Sequence, residues 1–170
     1  MQEKRKQRVL FLCTQNSARS QIAEALLRHH AGDRFEAYSA GVHAAGEMHP
    51  HVEEVLGEIG VDLADQHPKG LGEYFGKVGF NYLIIVCARA EEECPTTFPG
   101  VGTRFSWIFD DPRDASVADE DRLEKFREVR DGIELRLLDW LERPEAELTK
   151  LREERDRERG ERLQETHPRP

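Results

Sequence analysis

No apolar stretch of this 170-residue chain approaches the roughly 20 residues that a membrane-spanning helix needs. The basic opening MQEKRKQ is followed by the run VLFLC, too short for the core of an export signal, so a cytoplasmic location is expected. Positive charge is also in deficit: 25 Lys and Arg stand against 34 Asp and Glu, a formal net charge of -9. An acidic chain repels polyanions, which argues against nucleic acid or a membrane surface as partner; an anionic substrate then needs a dedicated local pocket. Cysteine is scarce, and the three present cannot all pair within one chain. In a reducing compartment such thiols are expected to do chemistry rather than staple the fold. There is no internal repeat, and the length suits one core-forming domain, expected as a monomer.

What is there reads as alternating strands and helices. Arg8 to Cys13 is a compact run of strand formers, followed by a small polar loop and an amphipathic stretch from Ser20 to Ala31 with Ile22, Ala23, Leu26 and Leu27 at helical spacing. Phe35 to Gly41 reads as a second strand. Pro50 suits the first turn of a helix running to Gly60 through Val52, Val55, Leu56 and Ile59. Tyr82 to Cys87 is continuous and β-branched, as expected of a strand buried on both faces, and Arg104 to Phe109 is a weaker fourth strand. Asp119 to Leu141 carries Leu123, Phe126, Val129, Ile133, Leu137 and Trp140 on one stripe of a long helix. Such alternation predicts an α/β fold with a parallel sheet covered on both faces. A catalytic domain over residues 1–143 is expected, with a charged tail over 144–170 that forms an exposed or frayed helix and ends in disorder.

Chemistry concentrates in CTQNSARS, Cys13 to Ser20. A cysteine at a strand end, six positions before an arginine at the start of a helix, makes an oxyanion site. Amides of Thr14, Gln15, Asn16, Ser17 and Ala18, the positive end of the helix dipole and the Arg19 guanidinium surround a tetrahedral anion, and the same field favours a thiolate at Cys13. That thiolate is then poised as a nucleophile, Arg19 grips two oxygens, and Ser20 and Thr14 are candidates to hydrogen-bond the sulfur.

CTQNSARS after VLFL, followed by AEALL and YSAG, resembles the low-molecular-weight tyrosine phosphatase and arsenate reductase superfamily over Arg8 to Leu141. The form CTxNSxRS is similar to its arsenate reductase branch. The resemblance implies a four-stranded parallel sheet flanked by helices, phosphotyrosine phosphatase I-like, with arsenate as substrate and no cofactor. It also implies a second thiol at Cys87 and a third at Cys94. The second attacks Cys13 as arsenite leaves, and the third carries the resulting disulfide outwards to a donor, with thioredoxin the expected reductant. Read without the resemblance, Cys87 is equally a small buried hydrophobe and Cys94 an incidental loop thiol.

Asp111, before Pro112 in FDDPRDA, matches the superfamily's general acid, with Asp110 as an adjacent competitor. Similar tyrosine phosphatases carry two tyrosines after that proline; Arg113 and Asp114 stand here, which favours a small inorganic oxyanion. Asn16, Glu24 and Ser39 match positions that hold potassium in some similar arsenate reductases, whereas Lys69 adjoins the place of a carboxylate ligand, so a Lys69 to Glu24 pair without potassium is expected. His49, His51 and His67 lack partners for a metal set and read as surface residues. Two other functions remain open: a phosphatase, which has no need of Cys87, and a non-catalytic anion-binding or redox-sensing protein.

Overall fold

The computed structural model describes residues 4–166. The chain divides into two compact units, Met1–Leu135 and Arg136–Pro170. The first contains strands β1 (Gln7–Cys13), β2 (Phe35–Gly41), β3 (Phe80–Ile85) and β4 (Val101–Ser106), and helices α1 (Arg19–Ala31), α2 (Pro50–Gly57) and α3 (Ala88–Glu93). Helix α4 (Asp119–Glu142) begins in the first unit and ends in the second, which also holds α5 (Pro144–Thr166).

The four strands form one parallel sheet in the order β2-β1-β3-β4. β1 lies centrally because its run Val9 to Leu12 is apolar on both faces, and all four residues are fully buried. Since β2 lies on one side of β1 and β3 on the other, the chain reverses direction across the sheet there. The crevice beyond the carboxyl ends of β1 and β3 is where such sheets place ligands. Ile22, Ala23, Leu26 and Leu27 cover one face from α1, and the α4 stripe is buried at Phe126, Val129, Ile133, Leu137 and Trp140, with Leu123 half-buried.

Several boundaries differ from the sequence expectation. β4 starts earlier and stops at Ser106, where its register with β3 ends at the Ile85 to Ser106 pair. β3 stops at Ile85, so Cys87 does not end the strand; it caps α3, its sulfur accepting from the Ala90 amide at 3.4 Å. Helix α2 ends at Gly57, and the chain turns through Gly60, whose φ of 71° suits glycine. The tail is a continuous helix to Thr166, exposed from Thr149 to Glu161 except at half-buried Leu151 and Gly160. Of the expected disordered end, residues 167–170 lie outside the described residues.

Candidate active site

The loop from Thr14 to Ala18 runs from the end of β1 into α1 and is held from outside by backbone. Carbonyls of Cys13, Thr14, Gln15 and Ser17 accept from the amides of Val42, His43, Ala45 and His49 at 3.0, 2.7, 2.9 and 3.0 Å. With the carbonyls engaged outwards, the amides are the polar groups left for the interior, and that of Asn16 donates to Cys13 Sγ at 3.2 Å. Asn16 reaches this position with φ of 51°, a conformation asparagine tolerates. Its side chain locks the loop, donating to Ser20 Oγ at 2.8 Å and accepting from the Lys69 amide at 2.8 Å and Gln21 Nε2 at 2.9 Å. Gly41 allows this close approach: a Cβ there would meet Thr14 O and Gln15 C at 2.8 Å and Asn16 N at 2.9 Å.

Cys13 is buried, and Ser20 Oγ lies 2.9 Å from its sulfur. Ala18 precedes α1 without a side-chain cap, and the first turn carries no acidic residue, so the dipole's positive end meets the loop uncompensated. Arg19 is almost completely buried; its Nη1 donates to Phe109 O at 3.0 Å and its Nη2 lies 3.4 Å from Asp111 Oδ2. Thr14 differs from its expected role: its hydroxyl lies 3.3 Å from Cys87 Sγ, so Ser20 serves Cys13 while Thr14 links the loop to the second thiol.

Beside the loop lies a cleft of about 380 Å³, lined by Thr14, Gln15, Arg19, Cys87, Asp110, Asp111 and Arg113 among others. The adjacent aspartates are in different settings. Asp110 is largely exposed and pairs with Lys125 at 3.0 Å. Asp111 receives Arg113 Nε on Oδ1 and Nη2 on Oδ2, each at 3.1 Å, and the Arg113 amide at 3.0 Å. Burial pushes the Asp111 carboxyl up, but the bonds from Arg113 and the charges of Arg19 and Arg113 outweigh it, leaving the pKa below the ordinary aspartate value. Arg113 also donates through Nη1 to Gln15 and to Ser17 Oγ. Sequence reasoning noted Arg113 only as a departure; its position directly after the Asp-Pro pair was the available signal.

Cys94 lies at the opposite end of α3, buried, with its sulfur 3.7 Å from Pro95 O. Burial pushes its thiol pKa up, with the Arg104 charge opposing. Behind the loop, Ser39 Oγ donates to Glu24 Oε2 at 2.8 Å, and Lys69 Nζ lies 4.0 Å from the same oxygen while donating to His67 O at 2.8 Å. Burial raises the Glu24 pKa against the pull of Lys69 and Ser39, and burial lowers that of Lys69 against the pull of Glu24. Among the described residues no group of His, Cys, Asp and Glu is arranged to hold a metal ion, and no helix is long and apolar enough to cross a membrane. His49 accepts from the His51 amide at the start of α2 and stacks on Phe126 at 4.5 Å between ring centres.

Residues 8–156 match the low molecular weight phosphotyrosine protein phosphatase family. An arsenate reductase of Halalkalibacterium halodurans is 36% identical over 134 residues, 79% of this chain and 94% of the relative. Among solved structures, a thioredoxin-dependent arsenate reductase of Corynebacterium glutamicum superposes with TM-score 0.53 at 36% identity, over 76% of this chain and 63% of that one. An arsenate reductase of Archaeoglobus fulgidus superposes with TM-score 0.59 at 31% identity, over 75% of this chain and 94% of that one.

Proposed function

The chain belongs to the low molecular weight phosphotyrosine protein phosphatase family, and we propose that within it the protein is an arsenate reductase working through Cys13, Cys87 and Cys94. The observation that carries this reading is the Thr14 contact: a second thiol, Cys87, is bonded to the loop that holds the first. Hydrolysis of a phosphate ester consumes no thiol, whereas reduction of arsenate requires two electrons and therefore a second sulfur. The likeness to arsenate reductases over most of the chain supports the same reading.

The Cys13 thiolate attacks arsenic, and the departing oxygen takes a proton from Asp111 and leaves as water. Arg19 and the loop amides of Thr14 to Ser20 hold the remaining oxygens as charge builds on them. The Cys87 thiolate then attacks Cys13 Sγ. The sulfur–arsenic bond breaks, its electron pair stays on arsenic as arsenite, and a Cys13 to Cys87 disulfide remains. Attack by the Cys94 thiolate on Cys87 Sγ frees Cys13 and moves the disulfide along α3. The six residues of α3 lie between Cys87 and Cys94, and the seven helical rises from one to the other amount to about 10 Å, beyond the roughly 4.4–6.8 Å between Cα atoms that a disulfide allows. Helix α3 therefore unwinds in that step, which also brings out the buried Cys94. Two electrons then return from an external dithiol, for which thioredoxin is our assignment.

Glu24, Ser39 and Lys69 support the loop from behind, the Lys69 ammonium standing where a cation would otherwise balance Glu24. The catalytic domain spans residues 1–143, residues 144–170 are a charged tail outside the chemistry, and the enzyme works as a cytoplasmic monomer. The test is arsenite formed from arsenate with thioredoxin, compared with glutaredoxin and glutathione. Cys94→Ser should release up to one arsenite per enzyme and stall with a Cys13 to Cys87 disulfide detectable by mass spectrometry. Cys87→Ser should lose reduction while keeping hydrolysis of aryl phosphates; full reduction by Cys87→Ser would leave a phosphatase as the better reading.

A further inference from the structure

The cleft has a feature that the relay does not use. Arg113 sits between two loops, with one edge of its guanidinium on each. Nε and Nη2 grip both oxygens of Asp111, while Nη1 donates to Gln15 and, at 2.6 Å, to Ser17 Oγ on the oxyanion loop. Five donors in one rigid plane allow a single side chain to satisfy acceptors on both sides of an opening, which a lysine ammonium on its flexible stem cannot reproduce. The side chain is mostly buried, its exposure 21%, although it follows a surface turn, so it fills the mouth of the cleft instead of extending into water.

We propose that Arg113 is a strap that ties the Asp111 loop to the oxyanion loop, restricts the site to small inorganic oxyanions, and keeps Asp111 from acting as an acid until such an anion arrives. The second half of this rests on the reading of Asp111 as general acid. An organic phosphate must send its ester group out through the opening that Arg113 bridges, and can do so only by breaking the contacts to Gln15 and Ser17. Arsenate and phosphate carry nothing on the fourth oxygen and fit beneath the strap. A doubly charged oxyanion also competes with the Asp111 carboxylate for the two guanidinium groups, Arg19 and Arg113, that flank it. As their N–H groups turn to the anion, the carboxylate loses its stabilising partners and gains a proton, which is the form needed to protonate a leaving oxygen.

The other charged groups around Asp111 do not supply this coupling. Lys125 of α4 is taken by Asp110, and Arg122 of α4 donates to the carbonyls of Pro112 and Asp114. His49 at the start of α2 is drawn towards its cationic form by Asp111, but burial, His51, Arg113 and Arg122 outweigh that pull and lower its pKa, which disfavours the cation. Across the cleft, Arg89 of α3 is paired with Glu93, and Cys87 contacts Thr14. The partners shared by Asp111 and an incoming anion are thus Arg19 and Arg113.

Binding of inorganic phosphate and of phenylphosphonate, which cannot be hydrolysed, is measured by titration for wild type, Arg113→Ala, Arg113→Lys and Gln15→Ala. The Asp111 carboxyl is followed by carbon-13 NMR with and without phosphate. Wild type should prefer phosphate, and both Arg113→Ala and Gln15→Ala should shift that preference towards phenylphosphonate by about tenfold or more. The Asp111 titration should move up in free Arg113→Ala, and the further rise caused by phosphate should be smaller than in wild type. Arg113→Lys should keep much of the wild-type titration, since its charge remains, yet lose the ligand preference, since the fork is gone. Unchanged preference in the folded Arg113 and Gln15 variants overturns the specificity role, and an Asp111 titration indifferent to phosphate in wild type overturns the coupling. Neither readout depends on arsenate turnover, so failure of the reductase reading, seen as no arsenite from wild type, is separate from failure of the strap.

Discussion

The oxyanion loop and helix α3 each present cysteine to the same region, and they are held by opposite means. Around Cys13 the constraint is backbone and buried: four loop carbonyls are tied to the segment from Val42 to His49, and Asn16, Ser20 and Gln21 interlock inside. Around Cys87 and Cys94 the constraint is side chain and surface. The helix between them has six residues, only Ala90 of which is buried, and its charges are pinned by Arg89 to Glu93, His43 to Glu93 and Arg104 to Glu91. Exposed pairs of this kind contribute about 0–1 kcal/mol each, and so short a helix is marginal without them. A nucleophile that must receive an anion in fixed geometry needs the first arrangement. A thiol pair that must close a disulfide needs the second.

The comparison breaks most severely at the rigid site. Cys13→Ser should abolish arsenate reduction and aryl phosphate hydrolysis together, by a thousandfold or more in roughly the range seen for lost nucleophiles, because both begin at one sulfur. Either activity surviving near its wild-type kcat/KM would remove Cys13 from the role. Asp111→Asn should cost roughly a hundredfold in kcat/KM, and Asp110→Asn far less because that carboxylate is exposed and paired with Lys125; steady-state assays giving the reverse order would exchange the two assignments.

Stability sharpens the contrast next. Lys69→Met alone leaves Glu24 buried without its cation and should lower unfolding free energy by roughly 3 kcal/mol, while Lys69→Met combined with Glu24→Gln should cost markedly less in denaturant titrations. The sign with pH follows from burial. Glu24 has its pKa raised in the folded state, so its contribution is fully present below the unfolded value and is lost as pH rises through the folded one. Wild type should therefore lose stability relative to the double variant as pH rises across that window, and a constant difference would contradict the buried ionised carboxylate. At the flexible site the effect on stability is smallest. Glu93→Gln, which removes the partner of both Arg89 and His43, should lower global stability by under about 1 kcal/mol while increasing amide exchange in Ala88–Glu93. Exchange unchanged in that segment would show that α3 does not depend on its surface pairs.

How far the sequence speaks can be judged from particular residues. The four strands, the long helices and the placement of CTQNSARS between a strand and a helix were legible because each rests on periodicity and composition within a few neighbouring residues. The parallel sheet followed from alternation of these elements, and the family from the motif. Local pattern failed where a long-range partner decides the outcome. The apolar run YLIIVC gives no sign that pairing with β4 ends at Ile85 and leaves Cys87 to cap a helix. Nor could it reveal that Thr14 turns to Cys87, 73 positions away, while Ser20 turns to Cys13.

By itself the sequence determined the element order, the charge balance that makes an anion site an exception on an acidic protein, and the residue types available for the chemistry. Those are properties of short segments, set by side-chain shape, backbone propensity and formal charge. Only the tertiary structure decided which of two adjacent aspartates meets Arg19 and Arg113 and which pairs with Lys125, that a Cβ at Gly41 would strike the loop, and that Arg113 spans from Asp111 to Gln15 and Ser17. Those outcomes depend on distances of a few ångströms between segments far apart in the chain, and such distances exist only once the sheet has brought the carboxyl ends of its strands together.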